Sequence, residues 1–161
     1  MDERFRRYPI GIQNFEDLRN NGYVYVDKTE LIYRLTNTNK VYFFCCSRRF
    51  GKSLLVSTLE AYFSGKKDLF NGLAMETLEK EWAVYPVLHI DFSVSKYMTA
   101  EALSAVINYQ LLQWEKLYGR EEGETTFSLR LKGIIQRAYT QTGKPVVILV
   151  DEYDAPMLDS N

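Results

Sequence analysis

The sequence predicts an α/β protein with a largely parallel sheet flanked by helices. Three observations predict it. Apolar, β-prone runs stand at Val41-Tyr42-Phe43-Phe44, at residues 86–91 and at Val146-Val147-Ile148-Leu149-Val150. Stretches between them repeat apolar residues at helical spacing. Glycine and proline close those stretches before the next strand begins, as Gly143 and Pro145 do. Strands alternating with helices are the pattern of parallel crossover units.

Taken in order, residues 8–21 mix Pro9 and Gly11 with a short helical pattern at Phe15 and Leu18. Tyr23-Val24-Tyr25-Val26 is a short β-favouring run. Asp27 is placed to cap a helix carrying Leu31, Ile32 and Leu35. Residues 37–40 read as a turn. The Val41 run is continuously apolar, as in a strand covered on both faces. It leads into Gly51-Lys52-Ser53 and then to Leu54, Leu55, Thr58, Leu59, Tyr62 and Phe63 at helical spacing, with Gly65 as the stop. The 86–91 strand follows, then a long helix over 100–117 with Leu103, Val106, Ile107, Leu111 and Trp114 on one stripe. Residues 119–125 connect to a helix marked by Leu129, Leu131, Ile134, Ile135, Ala138 and Tyr139. The final strand runs straight into Asp151-Glu152.

With 161 residues, 46% of them hydrophobic and 25% charged, the chain has the length and composition of one soluble globular domain. A net charge of -1 gives no global electrostatic case for nucleic acid or an anionic membrane. Arg4, Arg6 and Arg7 read as a solvated N-terminal face. The two cysteines, Cys45 and Cys46, are sequence neighbours, so a bridge between them would be strained and would staple nothing. No cysteine–histidine spacing suggests zinc. No apolar run approaches a membrane span or a signal sequence, and a cytoplasmic location is expected.

The strand–loop–helix context around Gly51 gives the central reading. A phosphate-binding loop turns successive backbone N–H groups inward, and a helix N-terminus points at the anion. Its lysine reaches the terminal phosphates and its Ser/Thr hydroxyl ligates Mg²⁺. Lys52 and Ser53 fit those roles, and Gly51 lets the backbone approach closely. The usual GxxxxGK[ST] pattern has glycine where Cys46 stands here, so the triplet alone is weak evidence. The Asp151-Glu152 pair strengthens it. An aspartate ending an apolar strand is placed to hold Mg²⁺, and an adjoining glutamate is placed to polarise the attacking water.

Four segments in order carry a family resemblance: Tyr25-Val26-Asp27-Lys28-Thr29, Arg48-Arg49-Phe50-Gly51-Lys52-Ser53-Leu54, His89-Ile90-Asp91-Phe92 and Val150-Asp151-Glu152-Tyr153-Asp154. Together they resemble the bacterial AAA-ATPase-like proteins, which are P-loop NTPases often fused to a C-terminal PD-(D/E)XK nuclease-type domain. That family's loop typically reads Arg-Pro-Arg-Arg-Phe-Gly-Lys-Ser, so the missing first glycine is a family trait. This chain departs from it with Cys46-Ser47 in place of Arg-Pro, which leaves the loop less rigid.

The resemblance implies ATP and Mg²⁺ as ligands. It assigns residues 48–54 (Arg48, Arg49, Phe50, Gly51, Lys52, Ser53 and Leu54) to the nucleotide site, Ser53 and Asp151 to the metal, and Lys52 and Glu152 to catalysis. Arg48 and Arg49 have two readings, a phosphate contact or pairing with surface carboxylates. Asp27 reads as a helix cap, Lys28 has no assigned role, and His89 reads as a packed residue. Asp91 lies at the presumed nucleotide edge of the sheet. Asp154 either supports the site or begins the turn before Pro156.

A glutamate directly after the metal aspartate resembles the additional-strand class of P-loop proteins, and residues 153–161 are too few to supply that strand. The expectation is therefore a P-loop NTPase-type sheet truncated after the Walker B strand. Residues 1–40 would form a family-specific segment packed on the core, and 41–161 the N-terminal part of the ATPase domain. The expected function is a Mg²⁺-dependent ATPase that drives or switches an attached or partner effector, such as a nuclease. Nucleic acid would be met only indirectly. The alternative is a nucleotide-gated interaction module without hydrolysis.

Overall fold

The computed structural model describes residues 7–38, 51–92 and 99–151. The expected strand over residues 41–44, both cysteines, Arg48, Arg49, Phe50, Glu152 and Asp154 lie outside the described residues. The chain divides into two compact units, Met1–Val84 and Tyr85–Asn161.

The first unit is helical among its described residues. α1 spans Phe15–Asn20, and Asn14 caps it by accepting from the Asp17 N–H. α2 spans Thr29–Thr38 and α3 spans Lys52–Phe63. A 3-10 turn at Lys67–Phe70 leads into the short α4, Ala74–Leu78. The Tyr23–Val26 run, β-favouring in sequence, forms no strand. Its backbone bonds go to α1 and to the chain before it, Tyr23 N–H to Leu18 C=O at 3.1 Å and Val24 N–H to Arg7 C=O at 3.0 Å. Its side chains are instead used for packing: the Tyr25 ring meets Phe15 edge-on at 5.2 Å. Phe15 and Phe70 are fully buried, their rings 5.0 Å apart, and Trp82 joins them 5.1 Å from Phe70.

Gly65 has a left-handed backbone (φ 69°) just past the end of α3, as its sequence position suggests. A Cβ there would lie 2.7 Å from a Val84 methyl, so the returning chain also requires glycine.

The second unit holds β1 (Val87–Asp91) and β2 (Val147–Asp151), which pair in parallel from Val87↔Val147 to Asp91↔Asp151. α5 (Ala100–Tyr118) and α6 (Phe127–Thr142) flank this small sheet. Leu88, Leu111 and Ile134 form its buried centre, with Trp114, Tyr118, Leu131, Ile135 and Val146 around them. Alternate β2 residues, Ile148 and Val150, remain 44% and 43% exposed, so among the described residues this strand is covered over only part of its surface.

Two ion pairs hold α6 to α5 and to the loop between them. Arg130 makes a two-pronged contact with Glu115, at 2.6 and 2.9 Å, and both side chains are buried. Arg137 grips Glu124 in the same way. The Glu124 carboxylate lies where a Cβ on Gly133 would stand, which explains a glycine inside a helix. Among the described residues, no helix is long and apolar enough to cross a membrane.

Candidate functional site

Gly51 is the N-cap of α3 and holds a left-handed backbone, φ 77° and ψ 21°. Only glycine reaches that conformation without a steric penalty. Its carbonyl accepts the first helical bond, from the Leu55 N–H at 2.9 Å. Lys52 and Ser53 are therefore the first two residues of α3, and both are half-buried, as is Leu54. The first turn carries no acidic side chain and no side-chain cap. Helix starts usually gain from one or the other, because the dipole there is positive. A start that lacks both suits an external anion.

The second unit places Asp151 at the end of β2, only 5% exposed. Its register partner is Asp91, and the ladder extends one bond further, from the Phe92 N–H to the Asp151 carbonyl at 3.1 Å. The Gln110 side chain of α5 donates to the Asp91 carbonyl at 3.2 Å, tying the strand end to the helix. His89 is half-buried opposite Leu149, in keeping with a packed residue.

Gly51, Lys52, Ser53 and Leu54 are thus gathered at one helix start in the first unit. Asp91 and Asp151 are side by side in the second.

Asp27 does more than cap a helix. Its Oδ1 accepts from the Thr29 N–H at 2.9 Å and from the Thr29 hydroxyl at 2.6 Å. Its Oδ2 accepts from the Ala74 N–H at 2.7 Å, the first residue of α4. The Thr29 hydroxyl in turn accepts from the Met75 N–H at 3.0 Å, and Thr29 is fully buried. One carboxylate and one hydroxyl therefore cap α2 and α4 together. Desolvation pushes the Asp27 carboxyl upward, but the bonds from Thr29 and Ala74 outweigh it and hold its pKa below the ordinary 3.8. Asp27-Lys28-Thr29 gives the local cap in sequence. The Ala74 and Met75 partners, far along the chain, leave no local signal.

Burial raises the Tyr25 phenol pKa, against the lowering influence of the Thr58 side chain on α3. Lys28 is exposed.

The chain belongs to the AAA-ATPase-like family, described as predicted AAA-ATPases, whose model matches residues 9–161. Membership in that family points to ATP-binding, NTPase-like function in general terms. A protein of Azotobacter chroococcum mcd 1, named "Uncharacterized protein in vnfD 5'region", is 37% identical over 157 residues. The match covers 96% of this chain and 30% of that relative's length. No solved structure matches the chain.

Proposed function

We propose that the chain is the nucleotide-binding part of a P-loop NTPase that takes ATP with Mg²⁺ and hydrolyses it in the whole protein. The observation that supports this most is the start of α3. A left-handed glycine leads directly into Lys52-Ser53, with neither an acidic residue in the first turn nor a side-chain cap. In this reading residues 48–54 supply the nucleotide site, with Arg48 and Arg49 adding positive charge. Residues 1–40 are the family-specific segment and 41–161 the start of the ATPase domain.

The metal donors fit. Ser53 offers a hydroxyl and Asp151 a carboxylate, both hard oxygen ligands of the kind Mg²⁺ takes. Held by Ser53 and Asp151, the ion would supply positive charge to offset the negative charge of the phosphates. Lys52 holds a terminal phosphate oxygen and takes up the charge that grows there as the bond to the leaving oxygen lengthens. Glu152 accepts a hydrogen bond from the attacking water and orients it in line with that bond. The products are ADP and phosphate, and the change in occupancy drives or switches an attached or partner effector, a nuclease-type domain being the candidate. The protein works in the cytoplasm.

The discriminating experiment uses the full-length protein. Glu152→Gln is expected to bind ATP with wild-type affinity and to release no phosphate above background. Undiminished phosphate release by Glu152→Gln overturns the assignment of the water-orienting residue.

A further inference from the structure

Ser57 lies one helical turn after Ser53, on the same face of α3, since residues four apart stack along a helix. Its hydroxyl accepts the N–H of Phe15 at 3.0 Å. Phe15 is the first residue of α1 and is fully buried, so this N–H belongs to the set a helix start leaves without an internal partner. The same hydroxyl has two acceptors for its single proton, the Leu54 carbonyl at 2.9 Å and the Gln13 carbonyl at 3.3 Å. One side chain of α3 thus holds the Phe15 N–H, with its own proton shared between the Leu54 and Gln13 carbonyls, a turn behind Lys52 and Ser53.

The remaining anchors of α1 lie elsewhere. The Arg19 guanidinium donates to the Leu69 carbonyl at 2.7 Å and to the Asn71 carbonyl at 2.5 Å, beyond the end of α3. Glu16 pairs with Lys66, also past that end. Among the described residues, α1 is therefore tied to α3 through Ser57 and to the segment after α3 through Arg19 and Glu16, and the Ser57 link is the one near the start that carries Gly51-Lys52-Ser53.

We infer that Ser57 is a positioning residue for the nucleotide site: by seating Gln13–Phe15 against the second turn of α3, it fixes the pose from which Lys52 and Ser53 meet the phosphates. The inference rests on the nucleotide-binding reading above. Without the hydroxyl, the Phe15 N–H loses its partner and the α3 start samples poses that do not bind. Apparent affinity then falls in proportion to the competent fraction. Losing the far anchor at Arg19 weakens the fold without freeing that start.

The test measures Mg·ATP affinity and thermal midpoint for wild type, Lys52→Ala, Ser57→Ala, Ser57→Thr and Arg19→Ala. Ser57→Ala is expected to bind ATP roughly fivefold more weakly, the effect of one net hydrogen bond. Ser57→Thr keeps the hydroxyl and stays near wild type. Arg19→Ala loses thermal stability and keeps wild-type affinity. Wild-type affinity in Ser57→Ala, or equal affinity losses in Ser57→Ala and Arg19→Ala, overturns the inference. Equal ATP binding by wild type and Lys52→Ala instead overturns the reading beneath it.

Discussion

Asp91 and Asp151 are register partners at the ends of two parallel strands, so their side chains leave the same face of the sheet. The proposed metal-binding aspartate therefore has a second carboxylate beside it, contributed by a strand that comes much earlier in the chain. In the proposed site Asp151 is a ligand and Asp91 a neighbouring charge. Asp151→Asn is expected to raise the Mg²⁺ concentration needed for ATP binding more than about tenfold. Asp91→Asn is expected to raise it only about threefold, the scale of one charge acting through a solvated gap. A MgCl₂ titration at fixed ATP measures both. A larger effect from Asp91 than from Asp151 would reverse their roles.

Gly51→Ala isolates the backbone at the α3 start. Among the described residues nothing lies within 4 Å of the added Cβ, so the penalty expected is that of the left-handed backbone. The expected cost is about 1–2 kcal/mol. It should appear as a lowered urea midpoint with an unchanged slope. An unchanged midpoint would mean that the helix starts from another conformation.

The Glu115–Arg130 pair predicts an acid limb in stability. The Arg130 hydrogen bonds hold the Glu115 carboxyl below its ordinary 4.5, outweighing the opposing effect of burial. Its contribution is therefore complete above pH 4.5 and is lost as pH falls through the depressed folded value. Glu115→Gln should flatten that limb in urea melts between pH 6 and pH 3 (round values chosen to bracket it, about one to two units each side). Arg130→Met, which removes both hydrogen bonds from the buried Glu115 carboxylate and leaves it the half-exposed Arg120 at 3.8 Å, should cost about 3 kcal/mol at neutral pH. The double variant Glu115→Leu/Arg130→Met should recover much of that loss. A double variant no more stable than Arg130→Met would contradict this.

Tyr62 predicts the opposite limb. Burial, the hydrogen bond it donates to Glu79 and the Glu79 charge all raise its phenol pKa well above the ordinary 10.0. A raised acid stabilises the fold below its unfolded pKa, and the benefit is lost as pH climbs from 10 toward the folded value. Tyr62→Phe should be less stable than wild type at pH 8 (about two units below that pKa), and the gap should narrow above pH 10. A gap that stays constant through the alkaline range counts against the Tyr62–Glu79 bond.

The helices and strands with strong periodicity were legible in the sequence. α5 was expected over 100–117 and spans Ala100–Tyr118, and both described strands fall on the apolar runs that announced them. Local punctuation was legible too: Asp27 before α2, Gly65 after α3 and Gly143 after α6. The segment from Lys67 to Leu78 was not, because its short turns are set by contacts from outside. Asp27 and Thr29 cap α4 from a distant part of the chain. The β-favouring Tyr23–Val26 run misled for the converse reason, since Tyr25 packs edge-on against Phe15 instead of pairing with a neighbouring strand. At the candidate site, the places of Gly51, Lys52 and Ser53 at a helix start and of Asp151 at a strand end could be read from local pattern. The Ser57 contact could not, because its partner lies 42 residues away.

The central claim is that Lys52, the first residue of α3, binds the terminal phosphates of ATP. Calorimetric titration of Mg·ATP into wild type and Lys52→Ala tests it most directly. Saturable binding by wild type, weakened at least about a hundredfold in Lys52→Ala, is the predicted result, as befits loss of a charge-assisted phosphate contact. Equal affinity in the two proteins would contradict it.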